Sequence, residues 1–153
     1  MKVFTSIIGI ALIGIYVIGS GLWVNTGDSW YRTLNAPSWQ PPAYIFGIIW
    51  PYNFIVLGIS AVSIAQRLSS TWTYSYLSIL AISITFALTW AYQFYRPHNL
   101  ATATLALALC AAFTLPLLII TARASMVVAI ALVPYQLWVI TASFLSYGYM
   151  KRN

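Results

Sequence analysis

Five long apolar runs constrain this chain more than any other feature. They fall at roughly Val3–Val24, Ala43–Gln66, Thr73–Tyr95, Asn99–Ala122 and Met126–Met150. An α-helix rises 1.5 Å per residue, so about 20 apolar residues cross a hydrocarbon core of about 30 Å. Every run is long enough. Charged residues are only 5% of the chain and hydrophobic residues 61%, whereas a water-soluble domain carries about 25% charged residues. Such a chain cannot cover an aqueous surface. The expected fold is therefore all-α: an integral membrane bundle of five transmembrane helices, formed as a single domain over residues 1–153. The first run follows one basic residue, Lys2, and shows no small-residue cleavage site. It is read as a permanent helix rather than a signal peptide. Later connectors are short, around Arg67–Trp72, Arg96–His98 and Arg123–Ser125, which makes consecutive helices antiparallel.

The net charge of +6 comes from seven basic residues against one acidic residue. The basic residues stand singly or as one terminal pair at the ends of apolar runs. That is juxtamembrane charge facing lipid headgroups, so the lipid bilayer is a partner. Nucleic-acid binding would need clustering, and there is none. Five crossings place Lys2, Arg67 and Arg123 on one face. Asp28, Arg32, Arg96, His98, Lys151 and Arg152 share the other. Three basic residues against four do not orient the chain in its membrane.

The exception to the apolar pattern is the stretch Asn25–Tyr44, read as NTGDSWYRTLNAPSWQPPAY. Loops beyond roughly 12–15 residues are usually functional or disordered. Two Trp, two Tyr and three Pro argue for order. The stretch reads as a lid over the helices. Asp28 is placed to cap a short helix from Ser29, with Arg32 one turn on. Asn35 and Pro37 would end that helix.

Much conventional chemistry is excluded by what is missing. Asp28 is the only acidic residue, His98 the only histidine and Cys110 the only cysteine. No carboxylate pair exists for acid–base work, no ligand cluster for a metal, and no internal disulfide can form. The crossings hold none of the ionisable groups that couple transport to protons or cations. No catalytic residues of the usual kinds and no required cofactor are expected.

What remains inside is aromatic or weakly polar. Ala87, Trp90, Ala91 and Phe94 share helical spacing, as do Pro134, Trp138, Ala142 and Leu145. Two such faces would enclose a slot for a flat apolar ligand. From spacing alone, ordinary helix packing explains them more often. Pro51, Pro116 and Pro134 remove backbone donors within crossings and open space between helices. Ser83, Ala87 and Ala91 form a small-residue series that serves either packing within the chain or a homodimer.

Trp30-Tyr31, Leu34, Pro37-Ser38-Trp39 and Pro41-Pro42, followed by Gly47 and Trp50, resemble the first-loop signature of the TspO/translocator protein family of tryptophan-rich sensory proteins. Pro134-Tyr135, Leu137-Trp138, Ala142 and Leu145 are similar to its fifth-helix signature. The resemblance implies a five-helix bundle, often dimeric, in a bacterial membrane. It implies a pocket under the first loop that takes porphyrins such as protoporphyrin IX or other flat hydrophobic ligands. By position, Tyr31, Trp50, Trp90, Phe94, Trp138, Ala142 and Leu145 would line it, with Ala87 standing where many members carry Asn. Ala106 and Ser146 likewise replace polar residues of the family. Arg32, Arg96 and His98 share the loop face and would meet ligand carboxylates.

Three functions fit this reading. The first is a membrane receptor or carrier for tetrapyrroles. The second is light-dependent porphyrin breakdown, with Trp50 and Trp138 as electron donors. The third is an assembly subunit of a membrane complex.

Overall fold

A computed structural model describes all residues 1–153. The chain is all-helical: α1 (Lys2–Trp23), α2 (Ser29–Thr33), α3 (Ala43–Arg67), α4 (Ser70–Tyr95), α5 (Leu100–Ala124) and α6 (Met126–Arg152). All but α2 are long and apolar enough to cross a membrane, giving five spans. The short helix α2 lies within the first loop, where the sequence places it. Asp28 precedes α2 but makes no side-chain cap bond. Its backbone carbonyl accepts from Arg32 N–H instead.

The spanning helices close into a ring in the order α1, α3, α6, α5, α4, and α3 also touches α4 and α5 across the middle. Short turns make α4, α5 and α6 successive neighbours, while the turn from α3 to α4 crosses the ring. Between α4 and α5, His98 takes a left-handed backbone (φ 59°), the usual way to reverse a chain just beyond a helix end. Asn99 then caps α5 by accepting from Thr102 N–H at 3.0 Å. Ser125 does the same for α6, accepting from Val128 N–H.

Lipid supplies little hydrophobic drive between helices, so close packing and polar pairs hold them together. At Gly9, a Cβ would stand 2.7 Å from Ala61 Cβ, so only glycine lets α1 approach α3 this closely. Ser60 and Thr121 hydroxyls pair at 2.6 Å, and Tyr76 donates to Ser60 at 2.9 Å. These bonds join α3, α4 and α5. Thr114 donates to Gln136 at 2.6 Å, tying α5 to α6. Asn53 is different: it is fully buried in α3, and neither amide atom has a partner.

The small-residue series on α4 is consumed inside the protomer. Ser83, Ala87 and Ala91 are all buried, and Ser83 Oγ lies 3.5 Å from Cys110 Sγ on α5. This face is therefore packed within the chain and is not free for a second copy. On α5, Ala103 and Ala106 are buried, while Ala101, Ala108 and Ala112 point outward.

Candidate ligand cavity under the first loop

A cavity of about 460 Å³ lies between the first loop and the ends of α3, α4 and α6. That is within the roughly 300–1,000 Å³ range of small-molecule sites. Its wall is built by helical stripes. Ala43, Phe46 and Trp50 come from α3; Trp90, Phe94 and Tyr95 from α4; Trp138, Ala142, Leu145, Ser146 and Tyr149 from α6. The loop contributes Val24, Thr26, Tyr31 and Gln40.

The rings form two aromatic clusters, one on the α3 and α6 side and one on α4. Trp50 and Trp138 meet edge to face, 6.4 Å between centroids and 89° between planes. Phe46 packs on Trp138 in the same way at 5.1 Å. Trp90 contacts Phe94 and Tyr95, each at 6.1 Å. Edge-to-face pairs are favourable beyond the area they bury, by about 0.5–1.5 kcal/mol each. The indole N–H groups of Trp90 and Trp138 are buried and have no acceptor among the protein's own atoms. The wall is thus stiff and mostly apolar, with hydroxyls and one amide at the loop end.

The roof is fastened to α4 and α6. Trp30 stacks on His98 with ring centroids 3.6 Å apart and planes 10° apart. Asn35 N–H donates to Asn153 Oδ1 at 2.8 Å, and Asn153 Nδ2 donates back to Asn35 O at 3.3 Å. Pro37 is buried. Its ring sits where a Cβ on Gly148 would be, 2.5 Å from Pro37 Cγ. Tyr149 hydroxyl donates to Gln40 Oε1. A phenol has one proton, so Tyr31 must be the donor in its 3.2 Å contact with Tyr149. The relay Tyr31 to Tyr149 to Gln40 holds both halves of the loop against α6. A Tyr149→Phe variant loses both bonds but keeps the ring. At about 1 kcal/mol per bond, opening of the loop is expected to become roughly tenfold or more easier. Faster hydrogen exchange at residues 29–40, with unchanged exchange in α3 and α5, is the check.

Of the positions the sequence singles out, Tyr31, Trp50, Trp90, Phe94, Trp138, Ala142 and Leu145 come together on this wall. Ala87 does not. It is 2% exposed and lies in the main core. The face expected to carry Ala87, Trp90, Ala91 and Phe94 divides: the rings turn to the cavity and the small residues to the core. Arg32, Arg96 and His98 are exposed and lie outside the wall. Arg32 and Arg96 each follow a wall residue directly, Tyr31 and Tyr95. Arg96 donates to Leu22 O at 3.0 Å, joining α4 to the end of α1. His98 is occupied by its stack on Trp30.

Spacing alone would have found Phe46 and Tyr149, since each extends a stripe by one turn from Trp50 or Leu145. Val24, Thr26 and Gln40 lie in irregular backbone, where no periodicity points to them.

An all-helical, five-span bundle with an aromatic cavity under its first loop defines a polytopic membrane protein built around an internal recess. Residues 6–152 match the TspO/MBR family, and the chain belongs to that family. It is 30% identical to the tryptophan-rich protein TspO of Bacillus cereus over 154 residues, covering 100% of this chain and 99% of that one. It is 29% identical to the uncharacterized membrane protein YtaB of Bacillus subtilis over 150 residues, 94% of this chain and 97% of that protein. The tryptophan-rich sensory protein of Cereibacter sphaeroides is 25% identical over 126 residues, covering 82% and 79% of the two chains. Five apolar spans, the family and these bacterial relatives identify a multi-pass integral protein of a bacterial membrane.

Proposed function

We propose that this protein is a membrane receptor or carrier that binds a porphyrin, or a similarly flat hydrophobic molecule, in the cavity under residues 25–44, with that loop as its lid. The observation that carries the reading is the wall itself: Trp50, Trp90, Phe94 and Trp138, contributed by three helices, around about 460 Å³. Ring faces offer a planar guest stacking and dispersion contact without a specific polar code. A related protein named as sensory supports a regulatory role, in which occupancy of the cavity is the signal. No resident cofactor is needed, because the guest itself brings the chromophore. Self-association belongs with the outward Ala101, Ala108 and Ala112 stripe, the small-residue face left uncovered on α5.

Titration of the purified protein with protoporphyrin IX, followed by tryptophan fluorescence, tests the reading. Saturable quenching is expected. Quenching that rises linearly, as in protein-free micelles, would contradict it. The propionates of such a guest belong near Arg32 and Arg96, which flank the wall. Exposed ion pairs contribute about 0–1 kcal/mol each. An Arg32→Ala/Arg96→Ala double variant should therefore bind the free acid about three- to tenfold more weakly. It should bind the dimethyl ester unchanged. Equal affinities for both forms in both proteins would remove the arginines from the site.

A second reading is favoured by the Trp50–Trp138 pair, two electron-rich indoles on the same wall 6.4 Å apart. A light-excited porphyrin held there would take an electron from either ring, leaving an indole radical cation and a porphyrin radical anion, and breakdown of the macrocycle would then require dissolved dioxygen as the oxidant. Illumination should then yield a new chromophore from wild type and much less from a Trp50→Phe/Trp138→Phe variant that still binds. Equal yields from both, or from free porphyrin, would leave binding as the whole function.

A further inference from the structure

We propose that the outward groove between α1 and α3 is a site for one two-chain anionic phospholipid, its phosphate held by Lys2 and Arg67. The groove encloses about 820 Å³ and lies on the opposite half of α3 from the aromatic cavity. Its apolar length is walled by residues such as Ile10 and Val17 on α1 and Ile55 and Ile59 on α3, with Gly14 and Gly58 giving it depth. From Phe54 to Arg67 it follows 14 residues of α3, or about 20 Å of helix. One leaflet's hydrocarbon is about half of a roughly 30 Å core, so the groove covers an acyl chain and reaches the headgroup level.

A second depression of about 450 Å³ adjoins it, sharing Ile10, Val62 and Gln66. The two join toward the polar end, which suits two chains descending from one headgroup. That end is polar only there: Ser63, Gln66 and Arg67 line it. Lys2 Nζ lies 2.6 Å from Gln66 O, and Arg67 Nη1 lies 3.4 Å from Ala124 O. Both cations therefore meet neutral carbonyls and no carboxylate. The single acidic side chain, Asp28, is in the loop at the other face of the bundle. Two cations at headgroup depth without a protein counter-ion call for an anion from outside the chain, and the apolar groove beneath them calls for its tails. A second protomer is a poor occupant. Side by side about a twofold axis, two copies would bring two Lys2 and two Arg67 together with no acid between them.

Native mass spectrometry of the full chain with added phosphatidylglycerol or phosphatidylcholine of identical chains tests this. Wild type should retain one phosphatidylglycerol in clear preference to phosphatidylcholine. Each cation near an anionic headgroup is worth about 1 kcal/mol, or about fivefold in affinity. A Lys2→Gln/Arg67→Gln variant should accordingly lose most of the preference. Gly14→Leu puts bulk into the groove, and its Cβ starts from open space, with nothing within 4 Å. It should lower retention of phosphatidylglycerol while porphyrin quenching, which reports the separate cavity, stays as in wild type. Equal retention of the two lipids overturns the proposal. So does phosphatidylglycerol retention unchanged in both variants, or a dimer that Gly14→Leu dissociates.

Discussion

An Ala142→Phe variant should keep its helices and lose its guest. Ala142 lies on the cavity wall between Trp138 and Leu145, one turn from each along α6. Ala142 also borders the main core, but a phenyl ring added there has open volume on its cavity side, so the overpacking cost falls at or below the low end of the usual range of about 1–3 kcal/mol. Filling a void typically stabilises, by about 0.5–2 kcal/mol. The same ring removes the space between the Trp138 and Trp90 sides of the wall. A loss of about 2 kcal/mol of binding, roughly 30-fold in Kd, is the least expected. Melting temperature and porphyrin affinity should therefore move in opposite directions. If both fall together, Ala142 is a packing residue and the cavity is not the binding site.

Gly148→Ala should free the loop. Helix propensity alone favours alanine over glycine by about 1 kcal/mol in mid-helix. Here the new methyl would stand 2.5 Å from Pro37 Cγ, a rigid ring that cannot rotate away. Something must shift, and the loop is the softer partner. Pro37 would lift. Its neighbours in the roof, the Asn35–Asn153 clamp and the Tyr149–Gln40 bond, would lengthen with it. Porphyrin dissociation should accelerate about 10- to 100-fold, with helix content unchanged or slightly higher. Proteolytic nicking between residues 25 and 44 should rise in parallel. An unchanged off-rate together with intact loop protection would mean that α6 absorbs the clash, and that the loop does not gate the cavity.

Both expectations rest on details that differ in how visible they are from sequence. The five spans are plain in the chain because the bilayer demands about 20 apolar residues for each. The aromatic stripes are plain too, since Trp50, Trp90 and Trp138 repeat at helical spacing with their neighbours. What spacing does not give is the rotation of each helix in the ring. Ala87 and Trp90 are three residues apart and share a face by spacing, yet the main core takes the alanine and the cavity takes the indole. Three residues span about 300° at 3.6 per turn, so a modest rotation separates them.

The role of the loop was legible as order but not as attachment. Three prolines and four aromatic residues signal a fixed shape. They do not say that Pro37 seats on Gly148, that Asn35 pairs with Asn153, or that His98 is held by Trp30. Those contacts join residues more than 60 positions apart, and no local rule of spacing encodes them. The lipid-facing groove was invisible for a related reason. Gly14 and Gly58 are unremarkable in apolar helices until the packing of α1 on α3 sets them along one channel.

The most direct measurement is a crystal structure of the protein soaked with protoporphyrin IX. The macrocycle should lie beneath Tyr31, flanked by Trp50, Trp90 and Trp138, with its propionates directed toward Arg32 and Arg96. A porphyrin found only on the lipid-facing surface, with the cavity closed down by its own side chains, would contradict the account.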